Sequence, residues 1–253
     1  MNKLYDTNFY YPSSAGKGID IYLIDSGIIV DHEDFDTSDR TITCDAIVIN
    51  EEVRPTTKKE KTKCFAEGVS PNHGIMTSSN AGGKLYGIAK KANLHMVAID
   101  FKGNCSLMGL DFVLKNAKSP HKTVINMSLG GGAYSKANED KLTDLINEGF
   151  TIIASAGNHK TNCCEPITSE NFSAIAGYNK TIIVGGVTTN LYGDGYYRIN
   201  YSNYGKCVDI FAPAETICAD ALNGFKAVRG GGGTSASSPI VSGVAATIMS
   251  EHP

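Results

Sequence analysis

The sequence of 253 residues has no long apolar segment and no excess of positive charge. No apolar run reaches the roughly 18 residues that a membrane-spanning helix needs, which argues against a transmembrane span. Lysine and arginine number 23 against 26 aspartate and glutamate residues, so the formal net charge is −3. Proteins that bind nucleic acid or anionic membranes usually carry a basic excess, and neither is therefore an expected partner.

The sequence also has no recognisable secretion signal at its start. Met1 leads into the polar segment Asn2 to Asp6, which lacks the apolar core of a signal peptide. Because the first predicted strand begins as early as Ile19, we expect a chain whose leader has been removed. No internal repeat or linker is visible, so we expect one domain over residues 1–253.

Cysteine is well represented, and the number of cysteines is odd. One interpretation is that all are buried or reduced thiols. The other is two or three disulfides with at least one free thiol, which would indicate a secreted or vacuolar protein of the secretory pathway. The seven residues are Cys44, Cys64, Cys105, Cys163, Cys164, Cys207 and Cys218.

Short apolar runs alternate with helical periods along the chain. Helices are predicted from about 106 to 115, from 135 to 148 with Ser135 and Gly149 at its ends, and from Ser235 onward. This alternation predicts a doubly wound α/β fold with a mostly parallel sheet. The charged stretch 50–63 is predicted to be a solvated surface loop. Buried strands are predicted at 19–24, 94–99, 123–126, 151–154 and 181–184.

Two residues next to predicted strands or small-residue segments could carry acid–base chemistry. Asp25 ends a buried apolar run, where an unpaired charge is costly, so it is either a turn cap or an acid that orients a histidine. His73 opens a stretch of small residues and is either a surface side chain or a general base. Ligands of open α/β sheets bind beyond the carboxyl ends of the strands, which favours the functional interpretations.

Two further residues follow segments rich in small side chains. Asn158 comes after Ala156-Gly157 and is either an ordinary turn residue or a donor to a developing oxyanion. Ser235 follows the glycine run 230–233 and is either a helix cap or a nucleophile. A glycine run before a helix also suits phosphate, but no lysine follows in the position that a nucleotide-binding loop requires.

The four candidates gain weight because they occur in one chain in the order Asp, His, Asn, Ser. Asp-His-Ser is the order of the subtilisin triad and differs from the orders in chymotrypsin and α/β-hydrolases. The sequence around Ser235 also lacks a Gly-x-Ser-x-Gly elbow, which disfavours an esterase of the α/β-hydrolase type.

The neighbourhoods of these residues resemble the subtilase family, most closely its proteinase K branch, over nearly the whole chain. The resemblance implies one peptidase S8-type catalytic domain, with a three-layer, doubly wound α/β fold around a mostly parallel sheet. It also implies a serine endopeptidase. The matching segments are 14–18, 24–28, 86–90, 126–131, 202–205, 209–213 and 233–235.

The resemblance assigns a role to each candidate. Asp25, His73 and Ser235 would form a catalytic triad, with Asn158 in the oxyanion hole. A broad, apolar P1 preference is expected by analogy, since no acidic residue can be placed at the base of the pocket. Peptides or proteins are the expected substrates, the chain's own propeptide the expected inhibitor, and a monomer the expected state. The implied substrate-binding residues are Ser128, Leu129, Gly130, Ala156 and Gly157.

The sequence departs from the family pattern immediately after His73. The family usually has Gly-Thr-His, then Val or Cys and Ala-Gly, whereas this chain has Gly-Ile-Met-Thr-Ser-Ser over residues 74–79. A hydroxyl and a second imidazole are thereby lost, so we expect His73 to be held less tightly. A catalytically impaired pseudopeptidase that acts as a binding or regulatory module is the alternative, and a small-ester hydrolase is a third hypothesis.

The resemblance also bears on calcium and on disulfides. The position where the branch often has a calcium-binding aspartate is Val187-Thr188 here, so no cofactor is certain and structural calcium would lack its usual acidic ligand. The cysteine placement of secreted relatives implies that Cys207 pairs with Cys163 or Cys164. It also implies that Cys64 pairs with Cys105.

Overall fold

The computed structural model describes residues 8–170, 172–189 and 195–252. Its helices are α1 (Asn72–Gly82), α2 (Cys105–Asn116), α3 (Lys136–Asn147) and α4 (Thr234–Glu251). Short 3-10 helices lie at Pro120–Lys122 and Ala176–Tyr178. The strands are β1 (Asp20–Asp25), β2 (Gly27–Ile29), β3 (Ile42–Ile49), β4 (Glu52–Pro55), β5 (Lys63–Phe65), β6 (Asn93–Ile99), β7 (Thr123–Met127), β8 (Thr151–Ser155), β9 (Ile182–Thr189), β10 (Tyr196–Arg198), β11 (Ile210–Pro213), β12 (Glu215–Ala219) and β13 (Val228–Gly232).

One large sheet organises the fold. Its strand order is β10-β9-β8-β7-β1-β6-β3-β4, and β11 also pairs with β9. The pairs from β9 to β3 are parallel, whereas β10 and β4 are antiparallel edges. Two small antiparallel sheets, β2 with β5 and β12 with β13, lie outside it. This is the doubly wound, mostly parallel sheet that the sequence predicts.

The central strand β1 shows how the three layers form. Ile21 and Leu23 point into the core shared with α1 and α4, and Tyr22 and Ile24 point into the core shared with α2 and α3. Successive side chains of a strand face opposite sides of the sheet, so a strand covered by helices on both sides must be apolar throughout. That requirement explains the unbroken apolar run before Asp25.

The predicted helices and strands are found with shifts of a few residues at their ends. Ser135 caps α3 by accepting a hydrogen bond from the Asn138 N–H at 3.4 Å. Gly149 follows the end of this helix with φ +97°, a conformation that glycine adopts without strain. Helix α1 was not predicted, because glycine, serine and threonine favour helices weakly. It forms because every residue from Gly74 to Gly82 is buried against the rest of the fold.

The prediction of a surface loop at 50–63 is wrong in part. The stretch is largely exposed, as expected, but it contains the edge strand β4, all of whose residues are exposed. Charged residues on an edge strand commonly prevent it from pairing with another chain. The charge of this stretch is therefore compatible with strand structure.

The disulfides are Cys44–Cys64 and Cys164–Cys207. The second is one of the two pairings implied by the sequence, whereas the expected pairing of Cys64 with Cys105 is wrong. Cys64 lies with Cys44 in the core on the α1 and α4 side of the sheet, and Cys105 lies in the core on the other side. The sheet therefore separates Cys64 from Cys105. Free, buried thiols are Cys105, Cys163 and Cys218.

Among the helices described, none has the length and apolar character that crossing a membrane would require.

Candidate active site

Asp25 and His73 form a hydrogen-bonded pair at the carboxyl end of the central strand. Asp25 is the last residue of β1 and is fully buried. Its Oδ1 lies 2.7 Å from Nδ1 of His73 and also accepts a hydrogen bond from the Ser26 N–H at 2.6 Å. An imidazole that donates from Nδ1 to a carboxylate presents Nε2 as an acceptor, which is the arrangement a general base needs.

The start of α1 is fixed tightly against β1 and β2, which determines the position of His73. The Gly74 N–H donates to Ser26 Oγ at 2.8 Å. A Cβ at Gly74 would lie 2.1 Å from the carbonyl oxygen of Gly27, so only glycine permits this approach. Because His73 precedes Gly74, its ring is placed directly over the end of β1.

The surroundings of His73 favour its protonated form. The negative charge of Asp25 raises the pKa of His73 above the ordinary value, although burial and the positive charge of Arg229 act in the opposite direction. Arg229, on β13, donates to the carbonyl oxygen of Asn72. The Phe101 ring lies edge-on to the imidazole, with 6.3 Å between ring centroids. His73 is thus a base whose strength depends mainly on Asp25.

Ser235 is the second residue of α4, a long helix in the middle of the molecule. The first N–H groups of a helix have no partner within it and carry partial positive charge, so they suit a developing anion. The neighbouring Ala236 packs against Met76 of α1, which brings the two helix N-termini together. Ser235 Oγ donates to the Ser128 carbonyl oxygen at 3.2 Å, and the Ser128 hydroxyl donates to the Ser235 carbonyl oxygen at 3.0 Å. In the described part of the chain, no hydrogen bond joins Ser235 to His73.

The amide of Asn158 is held in one orientation. Its Oδ1 accepts hydrogen bonds from the Thr234 N–H at 2.9 Å and the Thr234 hydroxyl at 3.0 Å. With the oxygen engaged in this way, the Nδ2 group is the one left to donate. Gly233 lies close by, since a Cβ there would be 3.0 Å from Nδ2. The Nδ2 group of Asn158, a hydrogen-bond donor, therefore lies beside Gly233, two residues before Ser235.

Asn203 holds the loop that carries Asn158. Its Nδ2 donates to the Ala156 carbonyl oxygen at 2.8 Å, and its Oδ1 accepts from the N–H groups of His159 and Thr161 at 2.9 and 3.1 Å. Its backbone N–H donates to the Gly157 carbonyl oxygen at 2.9 Å. Asn203 is 3% exposed. A single buried side chain therefore holds the loop at residues before and after Asn158.

A cavity of about 560 Å³ begins at Phe101, the neighbour of His73, and extends along the segment that follows β7. The apolar part of its lining includes Ile99, Phe101, Met127, Leu129 and Tyr134, and glycines 130–132 line it as well. A cavity with a partly apolar lining and a glycine-rich edge suits a peptide substrate.

Comparison with known proteins agrees with this geometry. The sequence profile of the subtilase family (peptidase S8) matches residues 16–253 of the chain. The chain belongs to the subtilase family. The family and the fold expected from the sequence are thereby confirmed.

Individual subtilases resemble the chain along nearly its whole length. An extracellular serine proteinase of Thermus sp. is 33% identical over 249 residues, covering 96% of this chain and 53% of the relative. Alkaline protease 1 of Aspergillus flavus is 33% identical over 254 residues, covering 96% of this chain and 55% of the relative. The chain thus spans about half the length of these relatives. The crystal structure of a cold-adapted subtilisin-like serine proteinase covers 97% of this chain and 80% of its own, with 28% identity and a TM-score of 0.74.

The substrate-binding residues that the sequence predicts for this subtilase lie in different parts of the candidate site. Leu129 and Gly130 line the cavity, whereas Ser128 exchanges hydrogen bonds with Ser235. Ala156 and Gly157 lie in the loop before Asn158, where their backbone groups are bonded to Asn203 and Thr234.

Sequence reasoning missed three residues that hold the site together. Thr234 orients the Asn158 amide and Asn203 holds its loop, and both stand in motifs that resemble the family pattern. The third is Thr77, whose hydroxyl lies 3.1 Å from Asp25 Oδ2. It falls in the segment that departs from the family pattern, and the sequence alone gives no sign of its contact.

Proposed function

We propose that this chain is a serine endopeptidase that hydrolyses peptide bonds through an acyl-enzyme intermediate on Ser235. The observation that carries the proposal is the 2.7 Å hydrogen bond between a fully buried Asp25 and Nδ1 of His73. A buried carboxylate bound to one ring nitrogen leaves the other nitrogen to take a proton, which is the function of the base in serine peptidases.

The first step needs one movement of Ser235. In the structure its hydroxyl donates to the Ser128 carbonyl oxygen. Rotation about the Cα–Cβ bond would turn this hydroxyl toward His73, and such hydrogen bonds often shorten only when substrate is bound. His73 would then accept the proton while Oγ attacks the substrate carbonyl carbon, and Asp25 would stabilise the imidazolium that forms. The proton would next pass to the leaving amine.

The negative charge of the tetrahedral intermediate would be stabilised by two donors. Asn158 offers its Nδ2 group because Thr234 occupies its Oδ1. Ser235 offers its own N–H at the start of α4. Both donors are fixed before the reaction, so little reorganisation opposes the formation of the anion.

Protein or peptide substrates would bind in the cavity beside Phe101. Main-chain hydrogen bonds to the segment 128–130 would hold an extended peptide. The apolar part of the lining supports a broad preference for apolar side chains, including an apolar P1 residue. A propeptide of the chain's own would act as an inhibitor in the same cavity, and a monomer would be enough for the reaction.

We expect the protein to act outside the cell or in the secretory pathway. Two disulfides support an oxidising compartment. The relative from Thermus sp. is named an extracellular proteinase, which agrees with this expectation.

Val187 and Thr188 supply no carboxylate of their own for a calcium ion. The Thr188 hydroxyl donates to Glu215 Oε2 at 2.7 Å, so this position offers a neutral group that is already engaged. Calcium takes about 6 to 8 oxygen ligands, with carboxylates prominent among them. We therefore propose that a structural calcium ion would need another acidic ligand at this position, where the neighbouring carboxylate is that of Glu215, and no step of the mechanism uses a metal there.

Cleavage assays with the wild type and Ser235→Ala test the proposal. Purified wild-type protein should digest an unfolded, disulfide-reduced protein substrate, and Ser235→Ala should not. Inactivity of a wild type with normal thermal unfolding would favour the pseudopeptidase instead. Turnover of a small ester without cleavage of the protein substrate would favour the small-ester hydrolase.

A further inference from the structure

Thr77 lies one helical turn after His73, on the same side of α1. Residues four apart on a helix are neighbours on its surface, so both side chains face the end of β1. Thr77 is fully buried, as is Asp25. Its Oγ1 lies 3.1 Å from Asp25 Oδ2, a distance normal for a hydrogen bond.

The two oxygens of Asp25 have different sets of partners. Oδ1 is bound by the Ser26 N–H and by His73. Among the residues that the structure describes, Oδ2 has Thr77 as its hydrogen-bond donor. Loss of this donor would leave a charged oxygen buried without a partner, which is more costly than loss of a neutral hydrogen bond.

A second acceptor competes for the Thr77 hydroxyl. The carbonyl oxygen of Gly74 also lies 3.1 Å from Oγ1, in the contact that threonine commonly makes within helices. A hydroxyl has one hydrogen and can donate it fully to one acceptor. Hydrogen bonds to a charged acceptor are roughly twice as strong as those between neutral groups, so Asp25 is favoured over Gly74.

Thr77 also lies in the segment where the sequence departs from the pattern of the subtilase family. That pattern has threonine and histidine where the chain has Ile75 and Met76, and valine or cysteine where it has Thr77. Ile75 and Met76 are both buried in apolar clusters. A hydroxyl is therefore absent at the family's usual position and present two residues later.

We propose that Thr77 is a positioning residue of the triad, which fixes the Asp25 carboxylate through Oδ2 so that Oδ1 stays aligned with His73. The inference rests on the proposed function, because it concerns the base of the same reaction. It accounts for a tightly held His73 despite the altered segment that follows it.

Removal of the hydroxyl should change the pKa of His73 as well as the rate. The Thr77 hydrogen bond stabilises the negative charge of Asp25; without it, more of that charge acts on His73 and raises its pKa. The charged groups that act on His73 are Asp25 of β1 and Arg229 of β13, and neither changes charge in the variant. Among the residues that the structure describes, Cys218 of β12 is buried against Met76, and Asp34 accepts a hydrogen bond from Ser79 farther along α1.

Thr77→Val tests the proposal, because valine has the shape of threonine without its hydroxyl. We expect kcat to fall roughly tenfold, the order expected for one hydrogen bond to a charged group. KM should stay unchanged, because the buried side chain cannot reach the substrate. The acid limb of the pH profile of kcat/KM should move to higher pH. Thr77→Ser keeps the hydroxyl and should restore both kcat and the profile.

Ser78→Ala is the matched control. Ser78 is the next residue of the same helix, is fully buried, and its hydroxyl has no partner in the described part of the chain. Its removal should leave kcat and the pH profile at wild-type values. Thr77→Ala is a second variant without the hydroxyl, in case valine disturbs the packing. Thermal unfolding of each variant reports whether it is folded.

Titration of His73 by NMR in a Ser235→Ala background separates this inference from the proposed function. Thr77→Val should raise the pKa of His73 in that background, whether or not the wild type is a peptidase. An unchanged His73 pKa and an unchanged pH profile in a folded Thr77→Val variant would overturn the inference, and would show that Thr77 serves only the helix through Gly74. An inactive wild type with a shifted His73 pKa would overturn the proposed function instead.

Discussion

At the scale of residues, several side chains of the candidate site have polar atoms that neighbouring residues hold in place. Asn158 illustrates this, because Thr234 binds its oxygen through both a backbone N–H and a hydroxyl. An amide held at its oxygen can donate only from its nitrogen. The direction in which the Asn158 amide can donate is therefore set by Thr234.

Replacement of Asn158 by alanine should lower kcat with little effect on KM. The donor acts on the charge of the intermediate and not on the neutral substrate, so its loss affects the transition state. The equivalent donor of subtilisin contributes about 10²–10³ in kcat, and we expect the same order here. Steady-state kinetics on a peptide substrate measure this. An Asn158→Ala variant with wild-type kcat would exclude Asn158 from the oxyanion hole.

At the scale of secondary structure, three neighbouring strands meet in an ionic cluster away from the active site. His95 of β6 lies between Asp45 of β3, at 2.7 Å from Nδ1, and Asp20 of β1, at 3.6 Å from Nε2. Its ring stacks on Tyr22 with 4.6 Å between centroids. Burial alone would lower the pKa of His95, but the hydrogen bonds and charges of the two aspartates outweigh it and raise the pKa to about 9.

This cluster should make the stability of the fold depend on pH. The pKa of His95 is higher in the folded chain than the ordinary value of about 6.5 in the unfolded chain, so protonation favours the fold. The contribution is complete below about pH 6.5 and is lost as pH rises through 9. Thermal unfolding of Ser235→Ala, chosen to prevent autolysis, should give a lower Tm near the upper end of this range.

The variant His95→Gln isolates that contribution from other titrating groups. Its Tm should lie below that of the parent at the acid end of the range, and the difference should shrink toward the alkaline end. A difference that stays constant with pH would contradict the assignment of this cluster.

Three cysteines close to the loop that carries Asn158, namely Cys163, Cys164 and Cys207, form a second structural cluster. Cys163 Sγ lies 4.0 Å from the sulfur of Cys164 and 4.0 Å from that of Cys207, which are bonded to each other. Cys163 is fully buried, and burial raises the pKa of its thiol. In the wild type it should therefore stay unreactive beside the disulfide.

Replacement of Cys164 by serine should transfer the disulfide to the pair Cys163–Cys207. Cys163 is the nearest free thiol to Cys207, and refolding in a buffer with oxidised glutathione supplies the oxidant. Peptide mapping without reduction measures the pairing. Cys163→Ser should keep the native pair, and recovery of Cys163 and Cys207 as free thiols in Cys164→Ser would contradict the expectation.

At the scale of the whole molecule, the fold follows from a pattern that a single sequence displays well. Buried parallel strands require unbroken apolar runs, and these runs predict β1 and β6 to β9 closely. Helix α1 and the strands β2 to β5 and β10 to β13 were not predicted. Residues that favour helices weakly make up much of α1, so tertiary packing decides its conformation. The positions of Asp25, His73, Asn158 and Ser235 follow from the order and motifs of the sequence.

Contacts across the sheet or between distant segments could not be derived in the same way. The partner of Cys64 depends on which face of the sheet each cysteine occupies, and a one-residue change of register reverses the face. The contact between Thr77 and Asp25 joins residues 52 positions apart in the chain. Its recognition requires α1 to be seen as a helix, because only then do Thr77 and His73 share a face.

Labelling with a fluorophosphonate probe tests the central claim most directly, since such probes react with a serine that a neighbouring base has activated. The adduct should be located by peptide mass spectrometry in the wild type, in Ser235→Ala and in His73→Ala. We predict one adduct, on Ser235, that is lost in both variants. A folded wild type without an adduct, or with an adduct on another serine, would contradict the assignment of Ser235 and His73 as nucleophile and base.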